Sequence, residues 1–209
     1  MGPRKPRARE SEEFASQITS LFAKQPAIRS VRLVGSRAEG RATPLSDWDF
    51  AVETREFGPA AIALPQIIHS LSPLGTLWDP LSRHQCFIAI LPGPRKVDFV
   101  FQEPHRPEPP YVASANTLPA IDVHFWDWII WLAAKEAGQR HRLVTDELRK
   151  MHGYLLRPLG ALEVPTTIGE AVQAFLSARE LAERRFRTNL SHLLSTECIR
   201  FLTDAGFAL

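Results

Sequence analysis

The spacing of hydrophobic residues changes near the middle of this chain of 209 residues. In the first half, short apolar runs of strand length alternate with segments whose apolar residues recur at helical spacing. In the second half only the helical spacing is found. The pattern therefore predicts an α+β chain in which a sheet with helices comes first and an all-helical region follows.

The same pattern places the individual elements. Strands are predicted over residues 28–34, 48–53, 74–78, 85–91 and 96–101. Helices are predicted over residues 11–24, 59–71, 121–137, 141–154, 168–186 and 191–205. Pro65 is expected to kink or break the second of these helices, since proline lacks the amide hydrogen that a helix interior uses. The helix over 121–137 is apolar on most sides and should be buried.

A proline-rich segment separates the two halves. Residues 103–119 contain five prolines, a composition typical of a stiff, extended linker. The predicted organisation is a disordered basic tail over residues 1–10, a domain over 11–103, a linker over 104–119 and a helical domain over 120–209.

Charge and composition exclude several classes of protein. The formal net charge is +2, and four of the basic residues stand among the first ten positions. That tail could touch nucleic acid, but the rest of the chain lacks the basic footprint of a dedicated nucleic-acid binder. No apolar run is long enough for a membrane span, and no secretory signal follows the basic start. The two cysteines, Cys86 and Cys198, fit a reducing cytoplasm.

The candidate chemistry lies in residues 31–52, which read VRLVGSRAEGRATPLSDWDFAV. Gly35 and Ser36 end a predicted strand, and after a polar loop of ten residues Asp47 and Asp49 open the next one. Side chains on alternate strand residues share a face, so the two carboxylates should lie about 6.6 Å apart along it. That spacing suits a shared divalent cation, and the Gly-Ser turn suits phosphate. The segment therefore predicts a site for a metal-bound triphosphate.

A third carboxylate stands in the predicted strand over residues 96–101. Asp98 is flanked by apolar residues, and a buried carboxylate needs a cation, a donor or a metal as its partner. One alternative is a simple ion pair with Lys96 or Arg95. If this strand lies beside the Asp47/Asp49 strand, three carboxylates converge, and Mg²⁺ would relieve their repulsion.

These residues, in this order, resemble the signature of the DNA polymerase beta-type nucleotidyltransferase superfamily. The pattern GSR-A-x-G-x(5)-SD-x-D is similar to that of its small bacterial members, the aminoglycoside and lincosamide nucleotidyltransferases. The resemblance covers about residues 28–101 and is looser in the helical half. It implies an N-terminal nucleotidyltransferase domain, with a mixed sheet and flanking helices, followed by an all-helical C-terminal domain.

The resemblance also implies roles for the site residues. Asp47, Asp49 and Asp98 would bind two Mg²⁺ ions that hold an NTP, and Asp98 could also take the proton from the acceptor hydroxyl. Gly35 would let the backbone approach the phosphates, and Ser36 would offer them its hydroxyl and amide.

Three further residues are candidate nucleotide contacts, each with a structural alternative. Arg37 could contact the triphosphate or be a surface arginine on a flexible loop. Ser46 could touch phosphate or cap the turn before Asp47. Lys135, near the end of the apolar helix, could reach the triphosphate or only mark where that helix meets solvent.

The implied reaction is transfer of a nucleoside monophosphate, AMP from ATP, to a hydroxyl of a small molecule such as an aminoglycoside-like antibiotic. Antibiotic resistance is the corresponding biological role. Two alternatives stay open: nucleotidylylation of a protein or an RNA, as in toxin–antitoxin-like pairs, and a non-catalytic nucleotide-binding module. A homodimer is expected if the apolar helices are not covered within one chain.

Overall fold

Alternating apolar positions of the first half form a mixed sheet in the computed structural model, which describes residues 6–209. Two compact units divide the chain. The first takes residues up to Leu91 and Arg95–Pro107, and the second takes Pro92–Pro94 and Glu108–Leu209. Of the tail expected over residues 1–10, residues 1–5 lie outside the described residues, and the first helix begins at Pro6.

The first unit holds the sheet and its helices. Its elements are, in chain order, α1 (Pro6–Phe22), β1 (Ile28–Val34), α2 (Gly35–Ala38), β2 (Trp48–Thr54), α3 (Phe57–His69), β3 (Gly75–Trp78), β4 (His84–Leu91) and β5 (Arg95–Pro104). The sheet order among the described residues is β1-β2-β5-β4-β3. Strands β2 and β5 run parallel, and the other described neighbours are antiparallel. The sheet is therefore mixed.

One face of the sheet carries the core of this unit. Along β2, Trp48, Phe50 and Val52 are buried, and alternation turns the intervening Asp49 to the opposite face. Phe99 of β5 stacks between Phe50 and Phe22 of α1, with ring centroids 5.6 Å and 5.0 Å apart. The burial of these side chains fixes which face the acidic residues occupy.

Helix α3 runs through Pro65, so the break that was one of the two expectations is wrong, and the kink stays a prediction. The missing amide costs about 3 kcal/mol in a helix interior. Leu64, Ile67 and Ile68 around the proline are all buried, and burying an aliphatic side chain contributes about 1.5–3 kcal/mol. Core packing therefore outweighs the lost hydrogen bond.

The second unit is helical. Its elements are α4 (Leu118–Ala137), α5 (His141–Met151), a π-helical turn (His152–Leu156), α6 (Arg157–Leu159), α7 (Ile168–Phe186) and α8 (Leu193–Asp204). The single helix expected over residues 141–154 thus ends at Met151. Helix α4 is largely buried, as its apolar composition predicted, and Phe125 stacks on Phe175 of α7 with centroids 3.8 Å apart. The α+β fold class is confirmed.

A buried ion pair crosses the core of the second unit. The Arg179 guanidinium of α7 is 2% exposed and donates to Asp122 of α4 at 3.0 Å. It also donates to Glu183 at 3.2 Å and to the carbonyl of Ser191 at 3.2 Å.

None of the described helices has both the length and the hydropathy needed to cross a bilayer.

Candidate active site

The register of three strands brings the acidic residues together. Asp49 pairs with Val34 at the end of the antiparallel β1, and with Asp98 on the parallel β5. Asp47 lies one residue before β2 begins. Asp47, Asp49 and Asp98 each offer an oxygen, and these oxygens lie within 4.8 Å of one another. The structure therefore brings the three predicted carboxylates into one cluster.

Burial and like charge make this cluster electrostatically unfavourable by itself. The pKa of Asp98 is raised above its ordinary value, first by burial and further by the nearby Asp47 and Asp79, while Lys96 opposes the shift. Lys96 is 5% exposed, and its ammonium donates to both carboxylate oxygens of Asp98, at 2.5 Å for Oδ2. The ion pair weighed as an alternative is thus present alongside the cluster.

The donor set fits a hard divalent cation. Mg²⁺ prefers carboxylate oxygens and takes one or two protein carboxylates together with phosphate oxygens and water. The three oxygens within 4.8 Å offer such ligands, and a cation among them would offset the burial and the like charge that raise the pKa of Asp98. The residues present therefore fit the predicted metal.

The Gly35-Ser36 turn closes directly over the cluster. Gly35 has a φ of +68°, and a Cβ added there would lie 2.4 Å from Oδ2 of Asp49. A larger residue would therefore be strained and would collide with the carboxylate. Ser36 Oγ is buried and has no hydrogen-bond partner among the described residues. A buried hydroxyl normally has one, so this atom is available to an oxygen of a bound molecule.

Arg37 contacts main-chain carbonyls on the far side of the ten-residue loop. Its Nε donates to the carbonyl of Asp47 at 2.9 Å and to that of Ser46 at 3.2 Å, and Nη2 donates to Ser46 at 2.5 Å. The guanidinium carbon lies 4.0 Å from the ring centroid of Trp48. These contacts are partly buried, so Arg37 is not the surface arginine on a flexible loop that was the alternative. A contact between Arg37 and the nucleotide stays a prediction.

The other two predicted nucleotide contacts make local interactions. Ser46 Oγ accepts from the amide of Thr43 at 2.9 Å, which is the turn-capping role weighed for it. Lys135 lies on α4 in the second unit, with its ammonium 4.8 Å from the ring centroid of Trp131. The expected reach of either residue to a triphosphate stays a prediction.

Sequence reasoning undervalued Lys96 and did not find Asp79. A lysine two residues before an acid on a strand shares its face, so the signal for Lys96 was present in the sequence. Asp79, which follows β3, acts on the pKa of Asp98. Nothing in its own sequence neighbourhood indicates this, because its position depends on the order of the strands.

Solved structures similar to this chain include several nucleotidyltransferases. They include a cytoplasmic RNA terminal U-transferase (18% identity, TM-score 0.39, covering 72% of this chain and 45% of that one). The Cid1 RNA terminal uridylyl transferase has 15% identity and a TM-score of 0.41, covering 78% and 49%. The Elizabethkingia meningoseptica CdnE cyclic dinucleotide synthase, solved with GTP and Apcpp, has 9% identity and a TM-score of 0.36, covering 94% and 92%. This chain thus spans about half the length of the first two.

The comparison with curated proteins found no match.

A family model matches the part of the chain that contains the site. The family model of the nucleotidyltransferase domain matches residues 14–115, about half of the chain. This range includes the Gly35-Ser36 turn and all three carboxylates of the cluster. Residues 14–115 therefore form a nucleotidyltransferase domain, and the resemblance to the DNA polymerase beta-type superfamily is confirmed.

Proposed function

We propose that this protein transfers AMP from ATP to a hydroxyl of a small molecule, releases pyrophosphate and depends on Mg²⁺. One observation carries the proposal. Three carboxylates within 4.8 Å of one another lie beside a turn whose buried serine hydroxyl lacks a partner among the described residues, inside a nucleotidyltransferase domain. A triphosphate with its cations would supply what both features need.

Each residue has a role in this proposal. Asp47, Asp49 and Asp98 hold the divalent ions, which when bound neutralise the triphosphate and stabilise the charge that develops during transfer. Ser36 donates its hydroxyl hydrogen to a phosphate oxygen, and Gly35 keeps space for the carboxylate of Asp49. The protein contributes mainly by positioning these groups before the reaction begins.

The reaction is an in-line displacement at the α-phosphorus. The acceptor oxygen forms a bond to that phosphorus while the bond to the bridging oxygen of the pyrophosphate breaks. Asp98 takes the hydroxyl proton, and the bonding electrons leave with pyrophosphate. No oxidant or further co-reactant is required.

Charge supports a small acceptor over a nucleic acid. The chain has 25 basic and 23 acidic residues, a balance without the strong positive excess that phosphate backbones attract. The pattern GSR-A-x-G-x(5)-SD-x-D also resembles that of the small antibiotic-modifying members. Cys86 and Cys198 are both buried and are not joined to each other in a disulfide, which fits the expected reducing cytoplasm.

The test is transfer of label from α-labelled ATP, with Mg²⁺ and a panel of hydroxylated acceptors that includes aminoglycosides. We expect a labelled acceptor and pyrophosphate from the natural protein, and neither product from an Asp47→Asn, Asp49→Asn double variant. Asp204→Asn, at an exposed position of α8, is the matched control and should stay active. Label only on co-purified protein or RNA would contradict the small acceptor. No label anywhere and no binding of Mg-ATP would overturn the proposed activity.

A further inference from the structure

Arg37 joins the two parts of the candidate active site through the main chain. It lies next to Ser36 in α2. Its side chain crosses the loop to the two residues before β2 and to Trp48, the first residue of that strand. Residues 46, 47 and 48 all contact it, two through carbonyl oxygens and Trp48 through its ring. The next residue along the strand is Asp49.

These contacts use features specific to arginine. A guanidinium is a planar fork that can donate to neighbouring acceptors while its face stacks on an aromatic ring. Trp48 is 3% exposed, so its ring offers a fixed surface for that stacking. A lysine ammonium is a point charge on a flexible stem and cannot make both contacts in one geometry.

We propose that Arg37 is a positioning residue that fixes the spacing between Asp47, Asp49 and the Gly35-Ser36 turn, and so sets the affinity of the cluster for divalent cations. Arg37 Nε donates to the Asp47 carbonyl oxygen at 2.9 Å, and this contact fixes the main chain that carries the Asp47 carboxylate. On the other side, Gly35 approaches Oδ2 of Asp49 so closely that even a methyl group would not fit. Small shifts between these segments would therefore separate the oxygens that now lie within 4.8 Å of one another.

This assignment rests on the proposed function and differs from the expected role of Arg37 as a triphosphate contact. The two roles predict different measurements. If Arg37 is a triphosphate contact, replacing it should raise the KM for ATP and leave cation binding in the absence of nucleotide unchanged. Replacing a positioning residue should weaken cation binding even when no nucleotide is present, because its contacts with the carbonyls of Ser46 and Asp47 are made within the protein.

The test measures Mn²⁺ affinity of the nucleotide-free protein by calorimetry, for Arg37→Met and Arg37→Lys. Residues that orient metal ligands typically change metal affinity by about 10- to 100-fold when replaced. We expect a loss in that range for Arg37→Met and only partial rescue in Arg37→Lys. Arg41→Met, an exposed arginine in the same loop, is the matched control and should bind Mn²⁺ like the natural protein.

The kinetic readout separates the two roles further. We expect kcat to fall in both Arg37 variants, with the KM for ATP changed much less. Unchanged Mn²⁺ affinity together with a raised KM would overturn the assignment and favour the triphosphate contact. If Arg37→Met does not fold, Arg37→Lys decides the question, and full Mn²⁺ affinity in that folded variant would also overturn it.

Failure of the proposed function gives a different result. If the natural protein binds Mn²⁺ and the Arg37 variants bind it more weakly, but no acceptor is labelled, the assignment stands and the activity does not. If the natural protein labels an acceptor but does not bind Mn²⁺ without nucleotide, the assignment is overturned and the proposed function stands.

Discussion

Asp49 and Asp98 are paired in register on the parallel strands β2 and β5. Adjacent strands lie about 4.8 Å apart, so the two carboxylates share one face at close range. Their core-facing neighbours Phe50 and Phe99 are also register partners and stack on one another. A slip of β5 by one residue would send Asp98 into the core and Phe99 out of it. The same packing that stabilises the sheet therefore fixes the candidate site.

Replacing Gly35 with alanine should both destabilise the domain and weaken cation binding. An L-residue in the left-handed region costs about 1–2 kcal/mol, and Gly35 has a φ of +68°. The added Cβ would also lie 2.4 Å from Oδ2 of Asp49, so that carboxylate or the turn must move. Urea unfolding and Mn²⁺ titration would measure the two effects.

Gly40 supplies a matched control for this substitution. Its φ is +69°, and an added Cβ would meet nothing within 4 Å. Gly40→Ala should therefore show only the backbone cost, about 1–2 kcal/mol, with Mn²⁺ affinity unchanged. Equal losses of stability and of affinity in both variants would show that the contact with Asp49 has no influence.

Replacing Lys96 with methionine should destabilise the protein much more without a divalent cation than with one. Removing one partner of a buried ion pair costs about 3–5 kcal/mol, because the other charge is left uncompensated. The ammonium of Lys96 is held on both oxygens of Asp98. A bound cation would compensate the same carboxylates, so Mn²⁺ should recover part of the loss.

The measurement is urea unfolding of Lys96→Met with a chelator and again with Mn²⁺. Lys24→Met, at an exposed position after α1, is the control and should change little under either condition. An equal loss of stability under both conditions would show that Lys96 acts by packing and not by charge.

Replacing Asp98 with asparagine should slow the transfer step itself. Proton transfer by a positioned side chain typically contributes about 10²- to 10⁴-fold to a rate, and Asp98 also supplies one of the three clustered oxygens. Asparagine keeps the shape but cannot accept the proton. Single-turnover rates at saturating labelled ATP would measure the change. A rate within about threefold of the natural protein would remove Asp98 from the proposed role.

Much of the first unit follows from local sequence. Strand β1 begins and ends at the predicted residues, and β2 begins at the predicted Trp48, because Gly35 and the acidic pair mark these boundaries. The presence of a nucleotidyltransferase domain follows from the same segment, and the fold class follows from the change of hydrophobic spacing between the two halves of the chain. These features can be predicted because they depend on residue types and on their spacing along the chain.

Other features of the site depend on contacts that residue types do not record. The sequence alone left open whether Asp98 lies beside Asp49, because the order of the strands is set by the packing of the whole sheet. The partners of Arg37 are main-chain carbonyls, which every residue possesses. The one-turn helix α2 likewise rests on main-chain bonds, such as that from the Glu39 amide to the Gly35 carbonyl at 3.1 Å.

The buried pair of Asp122 and Arg179 should give the protein a distinctive loss of stability with rising pH. Burial raises the pKa of Asp122 to about 6 from an ordinary value of 3.8, despite the opposing charge of Arg179. Between these values the folded protein holds the proton and the unfolded chain does not, so raising the pH favours unfolding. The full difference of about two pH units corresponds to about 3 kcal/mol.

Urea unfolding across this range, for the natural protein and for Asp122→Asn, would isolate the effect. Asparagine does not titrate, so the stability of the natural protein relative to the variant should fall as the pH rises from about 4 to about 6, and then level off. Asp146→Asn, at an exposed position of α5 where the carboxylate pairs with Arg149 at the surface, is the matched control for removing an acidic residue. A relative stability that instead rises with pH would mean that the attraction of Arg179 outweighs the cost of burying Asp122.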